Sequence, residues 1–411
     1  MLTGLLRSLG GYALRRRNLR LLYGAMFLGL LGTSIVFPLR LLYAQEHGAS
    51  PAQIGLMAAS FLLAPLLVQL PMGWLVDRCG RVPVLVTGMA AHAVISFFYI
   101  VFSAPTELIA LRFVEGVALA AVRPAVNAYI ADAVPPEHRS EAYGALSAAF
   151  NAGLFVGPLI GGIVGERFGY AVAFAVNVAV EVLAVALVWG RIAEPQSHEE
   201  RRADDAPVSW RRLVSIPLAG AYAATFCMQI VMGMFSSLWT IWIHDLGGSL
   251  TFIGATFTVF ALPQILLGAL AGRLGDRWGR APLLLLTGLC VSAVYVSYGV
   301  VTSLSLIMVL GVVEGVFFVF QQPLVQGLLA DASPVEARGR VQGVAGAAGA
   351  LGGASAAFAS LPLYHEARFL PFLLAGVIMA FGAAVAALSA ALYTRRERPL
   401  GEGMARGVAA R

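Results

Sequence analysis

Apolar residues run along this chain in long blocks, broken by short clusters of Arg, Asp, Gly and Pro. The blocks have the length, about 20 residues, that a helix needs to cross a hydrocarbon layer. They show none of the residue-by-residue alternation of a half-buried strand. Lipid offers no water to stray backbone groups, so only helices or closed barrels span it, and unalternating blocks select helices. Twelve spans follow, near 19–44, 52–76, 82–103, 106–131, 141–164, 169–190, 214–243, 251–273, 281–302, 304–330, 339–363 and 368–393. The predicted class is an all-α membrane protein.

The blocks come in two sets. Gly73, Leu75, Asp77, Arg78, Gly80, Arg81 and Pro83, between the second and third spans, return 199 residues later as Gly272, Leu274, Asp276, Arg277, Gly279, Arg280 and Pro282. The same offset aligns Ile54 with Ile253, Glu115 with Glu314, Pro124 with Pro323, Asp132 with Asp331, and Arg139 with Arg338. A duplication in one orientation predicts two six-helix bundles related by a pseudo-two-fold axis along the membrane normal. The expected division is a bundle over 1–190, a linker over 191–213 carrying five acids and five arginines, and a bundle over 214–411. The linker reads as a solvated tether.

Composition agrees. With 59% apolar residues, 12% charged and a mean hydropathy of +0.80, the chain lacks the polar shell of a soluble protein. Its basic residues are all arginines, scattered through loops, which gives no footprint for nucleic acid. With a cytoplasmic N-terminus, only Arg167 and Arg368 fall in outside loops, while Arg40, Arg112 and Arg123 lie within spans. Positive loops stay inside, so both termini are predicted to be cytoplasmic in a multi-pass inner membrane protein. Residues 1–17, with Arg7 and Arg15 to Arg17, could lie on the membrane surface as a short amphipathic helix. Cys79, Cys227 and Cys290 have neither disulfide nor metal spacing. No Walker loop, nucleophile elbow or metal cluster points to an enzyme or a cofactor.

The repeated hinge resembles the loop 2–3 motif of the major facilitator superfamily. Leu108, Arg112, Glu115 and Gly116 resemble its fourth-helix motif, and Gly153, Gly157, Pro158, Gly161 and Gly162 resemble the fifth-helix motif of its antiporters. The resemblance covers nearly the whole chain. It implies a monomeric secondary transporter working by alternating access, most similar to proton-coupled exporters of small amphipathic or hydrophobic molecules such as drugs. Uptake by symport, or translocation of sugars, amino acids or lysolipids, is the alternative on the same scaffold. The resemblance also makes Asp77, Arg78, Arg81 and Asp132, with Asp276, Arg277, Arg280 and Asp331, a conformational latch between the halves on the cytoplasmic side, broken when the protein opens inward. Asp132 could pair with Arg81 or Arg78, and Asp331 with Arg280 or Arg277. The glycine face of the fifth helix suits a seal, or plain close packing.

Charge inside a membrane is costly, at least about 2.5–3.5 kcal/mol per group, so each intramembrane charge marks a candidate site. Arg112 and Glu115 share a face of the fourth span, and Arg123 and Asn127 return to it further on. Glu314, Gln321, Gln322 and Gln326 make a comparable stripe on the tenth. In the resembled family these helices line the substrate cavity, which makes Arg112, Arg123, Asn127, Gln321 and Gln322 its candidate lining. Glu314 has no basic residue on its own helix, and a carboxyl buried without a cation favours its neutral form. It is the first candidate for proton coupling, Glu115 the second; pairing of Glu314 with Arg123 is the bland reading. His92 and Glu181 could satisfy each other as a buried pair or relay protons. The first span offers Arg40 but no acid, which speaks against a purely cationic cargo. Trp239 and Trp242 read as interface aromatics.

Overall fold

The computed structural model describes residues 16–195, 215–333 and 338–408. Most of the expected linker and residues 1–15 of the expected surface helix lie outside the described residues. So does Glu336, which repeats Glu137.

The described residues form fourteen α-helices and no strand. The first span is divided into α1 (Arg17–Ile35) and α2 (Leu39–Glu46). Then come α3 (Pro51–Cys79), α4 (Arg81–Val101), α5 (Pro105–Ala133), α6 (Arg139–Phe168) and α7 (Tyr170–Val188). The second set holds α8 (Ile216–Asp245), α9 (Leu250–Trp278) and α10 (Arg280–Tyr298). Its tenth span is also divided, into α11 (Leu304–Phe318) and α12 (Gln321–Ala332), before α13 (Arg338–Glu366) and α14 (Leu370–Val408). Eleven of these segments are long and apolar enough to cross a membrane. The 29-residue α5 stands outside that set, with Arg112, Glu115 and Arg123 in its middle turns.

Local chemistry sets the boundaries. Ser50 accepts from Gln53 N while Gln53 Oε1 accepts from Ser50 N, a reciprocal cap that starts α3 ahead of Pro51. Gly80 and Gly279 take φ of 95° and 87°, which L side chains avoid, and turn the chain sharply from α3 into α4 and from α9 into α10. The breaks in the first and tenth spans fall at Val36–Pro38 and Val319–Phe320. Pro38 lies in the first break, and Pro323 lacks the N–H that would bond the Val319 carbonyl. Pro124, the repeat counterpart of Pro323, sits in an unbroken helix.

Spatially the chain groups into two compact units, Met1–Arg202 with Ser237–Thr258, and Ala203–Ser236 with Val259–Arg411. In the first, α1 packs on α6 and α7, while α5 packs on α3 and α4. Its core holds Leu22, Leu85, Ala125, Ile130 and Val188. In the second, α10 packs on α11, α12 and α14 around Leu218, Leu284, Leu324 and Leu329.

Candidate functional site

The first unit buries a cluster of charges where α2, α4, α5 and α7 converge. Arg112 Nη1 donates to Glu115 Oε2 at 2.9 Å, one turn away on α5. Arg40, at the start of α2, sets Nη1 2.9 Å from Glu115 Oε1 and its guanidinium 5.0 Å from the Tyr99 ring centre. The Arg40 contact is an ion pair without an aligned hydrogen bond: none of its three nitrogens finds one among the described residues. Tyr99 donates to Glu115 Oε2 at 3.0 Å. His92 on α4 places Nε2 3.2 Å from Glu115 Oε1 and Nδ1 2.9 Å from Glu181 Oε1 on α7. Arg112 also lies over the Phe61 ring at 3.9 Å. Glu115 is wholly buried and Arg40 only 1% exposed, so these charges answer one another rather than water.

The second unit repeats part of this arrangement. Tyr298 on α10 donates to Glu314 Oε2 at 2.8 Å, as Tyr99 does to Glu115, and both residues sit 199 positions on. Gly116 beside Glu115 lies against Phe61 and Ala64 of α3, and Gly315 lies against the repeat counterparts, Phe260 and Pro263 of α9. The cations are not repeated. Trp239, Gly311 and Val291 occupy the positions matching Arg40, Arg112 and His92. Among the described residues no basic side chain forms an ion pair with the buried Glu314.

The other candidates separate. Arg123 and Asn127 are exposed, whereas Arg112 on the same helix is buried. Gln321 is buried and donates to Thr287 Oγ1 at 2.9 Å, whereas Gln322 is exposed. Trp239 and Trp242 are buried against each other, and Trp239 donates to Thr256 Oγ1 at 2.9 Å.

At the hinges, Arg81 Nε bonds Asp132 Oδ2 at 2.7 Å and Arg81 Nη2 lies 3.8 Å from Asp77. Arg280 repeats this with Asp331 at 2.6 Å and Asp276 at 3.0 Å, and donates to Gly327 O. Each set lies within its own repeat. Arg78 instead covers Trp74, and Arg277 is exposed. Sequence reading missed Glu194, whose carboxylate accepts from the backbone N–H of Arg81 at 2.6 Å and of Val82 at 2.8 Å. It caps the positive end of α4 from a segment read as tether. An acid in a charge-rich linker gives no signal of that role.

The α6 glycines form two contact faces. Gly153, Gly157 and Gly161 meet the α1 backbone from Phe27 to Ile35, with Ser34 Oγ donating to Gly153 O at 2.8 Å. Gly162 meets Leu250, the Pro158 carbonyl meets Gly254, and Thr258 Oγ1 donates to Phe155 O at 2.8 Å. Glu166 accepts from Thr251 N at 2.8 Å, capping α9.

Comparisons with known proteins agree with this architecture. The family model described as Major Facilitator Superfamily matches residues 22–223 and again 221–406, once per repeat. The Quinolone resistance protein NorA of Staphylococcus aureus (strain MRSA252) is 28% identical over 137 residues, 33% of this chain and 35% of that protein. An uncharacterised MFS-type transporter of Methanocaldococcus jannaschii is 30% identical over 137 residues, 33% of this chain and 36% of its own. The matched segments thus span about a third of the length of these curated relatives. A bacterial homologue of the human lysosomal transporter Spinster, inward-facing and occupied, superposes with a TM-score of 0.75 at 15% identity, covering 90% of this chain and 95% of that one. A D-xylose–proton symporter gives 0.69 at 16% identity, covering 89% and 95%. These likenesses show the fold alone. The family match over both repeats settles the identity: the chain belongs to the Major Facilitator Superfamily, a multi-pass membrane transporter and not an enzyme.

Proposed function

We propose that this transporter exports small amphipathic or hydrophobic molecules in exchange for protons, with Glu314 taking up and releasing the driving proton. One observation carries the reading. The same buried Tyr–Glu pair occurs in both repeats, but only Glu115 is surrounded by cations. Held between Arg40 and Arg112, Glu115 is a fixed charge. Glu314 faces the phenols of Tyr298 and Tyr295 and no cation among the described residues, and a buried carboxylate without a cation is costly enough that binding a proton relieves it. A group that is neutral when buried and charged when wetted is what ion-coupled alternating access requires. The relatives named for quinolone resistance support drug-like cargo and make a quinolone-type aromatic the first to try. The arginine asymmetry supports cytoplasmic termini.

The test is reconstitution in liposomes with a pH-sensitive dye inside, challenged with cationic, zwitterionic and neutral aromatic compounds. Export predicts that adding a cargo moves protons opposite to it, and that Glu314→Gln abolishes this flux while protein yield is kept. Co-directional movement would select symport instead. Full proton-driven flux in Glu314→Gln would remove Glu314 from the mechanism.

A further inference from the structure

The first unit holds a second group of exchangeable character, apart from Glu314 and independent of the export reading. His92 is buried with both ring nitrogens facing carboxylates, Nε2 at 3.2 Å from Glu115 Oε1 and Nδ1 at 2.9 Å from Glu181 Oε1. A neutral imidazole has one N–H. With two carboxylates ionised, a neutral His92 would set one lone pair against another at hydrogen-bond distance. Both contacts are satisfied only when the Glu115–His92–Glu181 chain holds two protons.

Every charged or titratable group around the chain agrees with that count. From α2 and α5, Arg40 and Arg112 fix Glu115 as a carboxylate, and Tyr99 of α4 donates to it. Glu115 therefore accepts the Nε2 proton and does not supply one. From α7, the Asn177 amide, with its nitrogen turned toward acceptors, donates to Glu181 Oε1 at 2.6 Å and to Gly32 O at 2.8 Å, while its oxygen accepts from Ser96. Glu181 Oε1 is thus an acceptor, and the second proton of the chain belongs on His92 Nδ1.

Next to that proton there is an acceptor and a cavity. Glu181 Oε2 is buried without a hydrogen-bond partner among the described residues. His92 and Glu181 line a cavity of about 30 Å³ with Gly29, Thr33, Met89 and Leu119. This is about the volume of one water, between mostly apolar side chains, with His92, Glu181 and Thr33 as its polar groups.

We propose that the His92–Glu181 pair is a proton-binding site inside the first repeat, loaded and unloaded through a water in this cavity. On unloading, the Nδ1–H bond breaks as an O–H bond forms on Glu181. The carboxylic acid then gives its proton to the water, which becomes hydronium and leaves neutral imidazole and carboxylate behind. The two arginines balance the two glutamates, so the loaded site carries one net positive charge and the unloaded site none. The second repeat, with Val291 and Ala380 at the matching positions, has no such site.

The test is NMR of the full chain in detergent, isotope-labelled at histidine, in a variant in which every other histidine is glutamine. Both ring nitrogens of His92 are expected to carry hydrogen at neutral pH, to lose one as pH rises, and to exchange it with water. Glu181→Gln is expected to remove the second N–H at neutral pH, because Gln brings no charge to hold it. A purely structural histidine shows a single N–H throughout, and that result in the Glu181 protein overturns the proposal. So does retention of both N–H groups in Glu181→Gln. Should that variant fail to fold, the titration of the Glu181 protein decides alone. Neither readout requires a cargo, so a failed transport assay leaves this result standing, and the reverse.

Discussion

Glu115 and Glu314 occupy the same place in two copies of one motif, and their neighbours make them different chemical objects. Two guanidiniums and a phenol converge on Glu115. A buried pair of this kind resists removal of either partner, typically by about 3–5 kcal/mol. Glu314 keeps the phenol and loses the guanidiniums. Restoring one should turn the second acid into the first. Position 311 repeats Arg112, and a Cβ there would meet only Tyr298 Oη, at 4.0 Å. Gly311→Arg is expected to pair with Glu314 and cut proton-driven flux by about tenfold or more, the effect of a coupling of about 1.4 kcal/mol. Vesicle flux in that variant equal to wild type would show that Glu314 does not need to be free of cations.

Helix α6 shows what small residues accomplish between helices. Lipid tails supply no hydrophobic drive for helices to associate, so close backbone contact must hold them together. Gly161 lies directly against the Ile35 carbonyl, whereas Gly144 on the same helix has nothing within 4 Å of an added methyl. Gly161→Ala is therefore expected to lower stability by about 1–3 kcal/mol through overpacking. Gly144→Ala is expected to raise it by about 0.5–1 kcal/mol through helix propensity. Thermal melts of the two variants in one detergent check the pair. The glycines themselves were legible in the sequence, as were the spans, because lipid imposes one length and one backbone solution on every crossing. The partners of α6 were not, since nothing in its spacing names α1 or α9. The burial of the α5 stripe was not legible for a related reason. Periodicity gives the face of a residue, but burial depends on which neighbours lie at that depth, and these cover Arg112 and leave Arg123 open. Arg40 was legible as a charge within the first span; its pairing with Glu115 follows from how α2 meets α5 after the break at Val36–Pro38.

At the scale of the whole chain, the duplication was readable because a turn with Gly, Asp and Arg at fixed offsets recurs 199 residues on and is rebuilt around Arg81 and Arg280 alike. Charge density alone assigned residues 191–213 to the tether. In the structure the chain stays with the first bundle further along. Ile192 is buried, Tyr129 donates to the Ala193 carbonyl at 3.3 Å, and Glu194 caps α4. This has a practical consequence for anyone who expresses the transporter as two separate polypeptides. A first fragment ending at Gly190 gives up Glu194 and leaves the amides of Arg81 and Val82 without their carboxylate. One ending at Pro195 keeps it. The longer fragment should accumulate in membranes and complement the remainder of the chain; the shorter should be degraded. Equal survival of the two would mean that those five residues are dispensable trim.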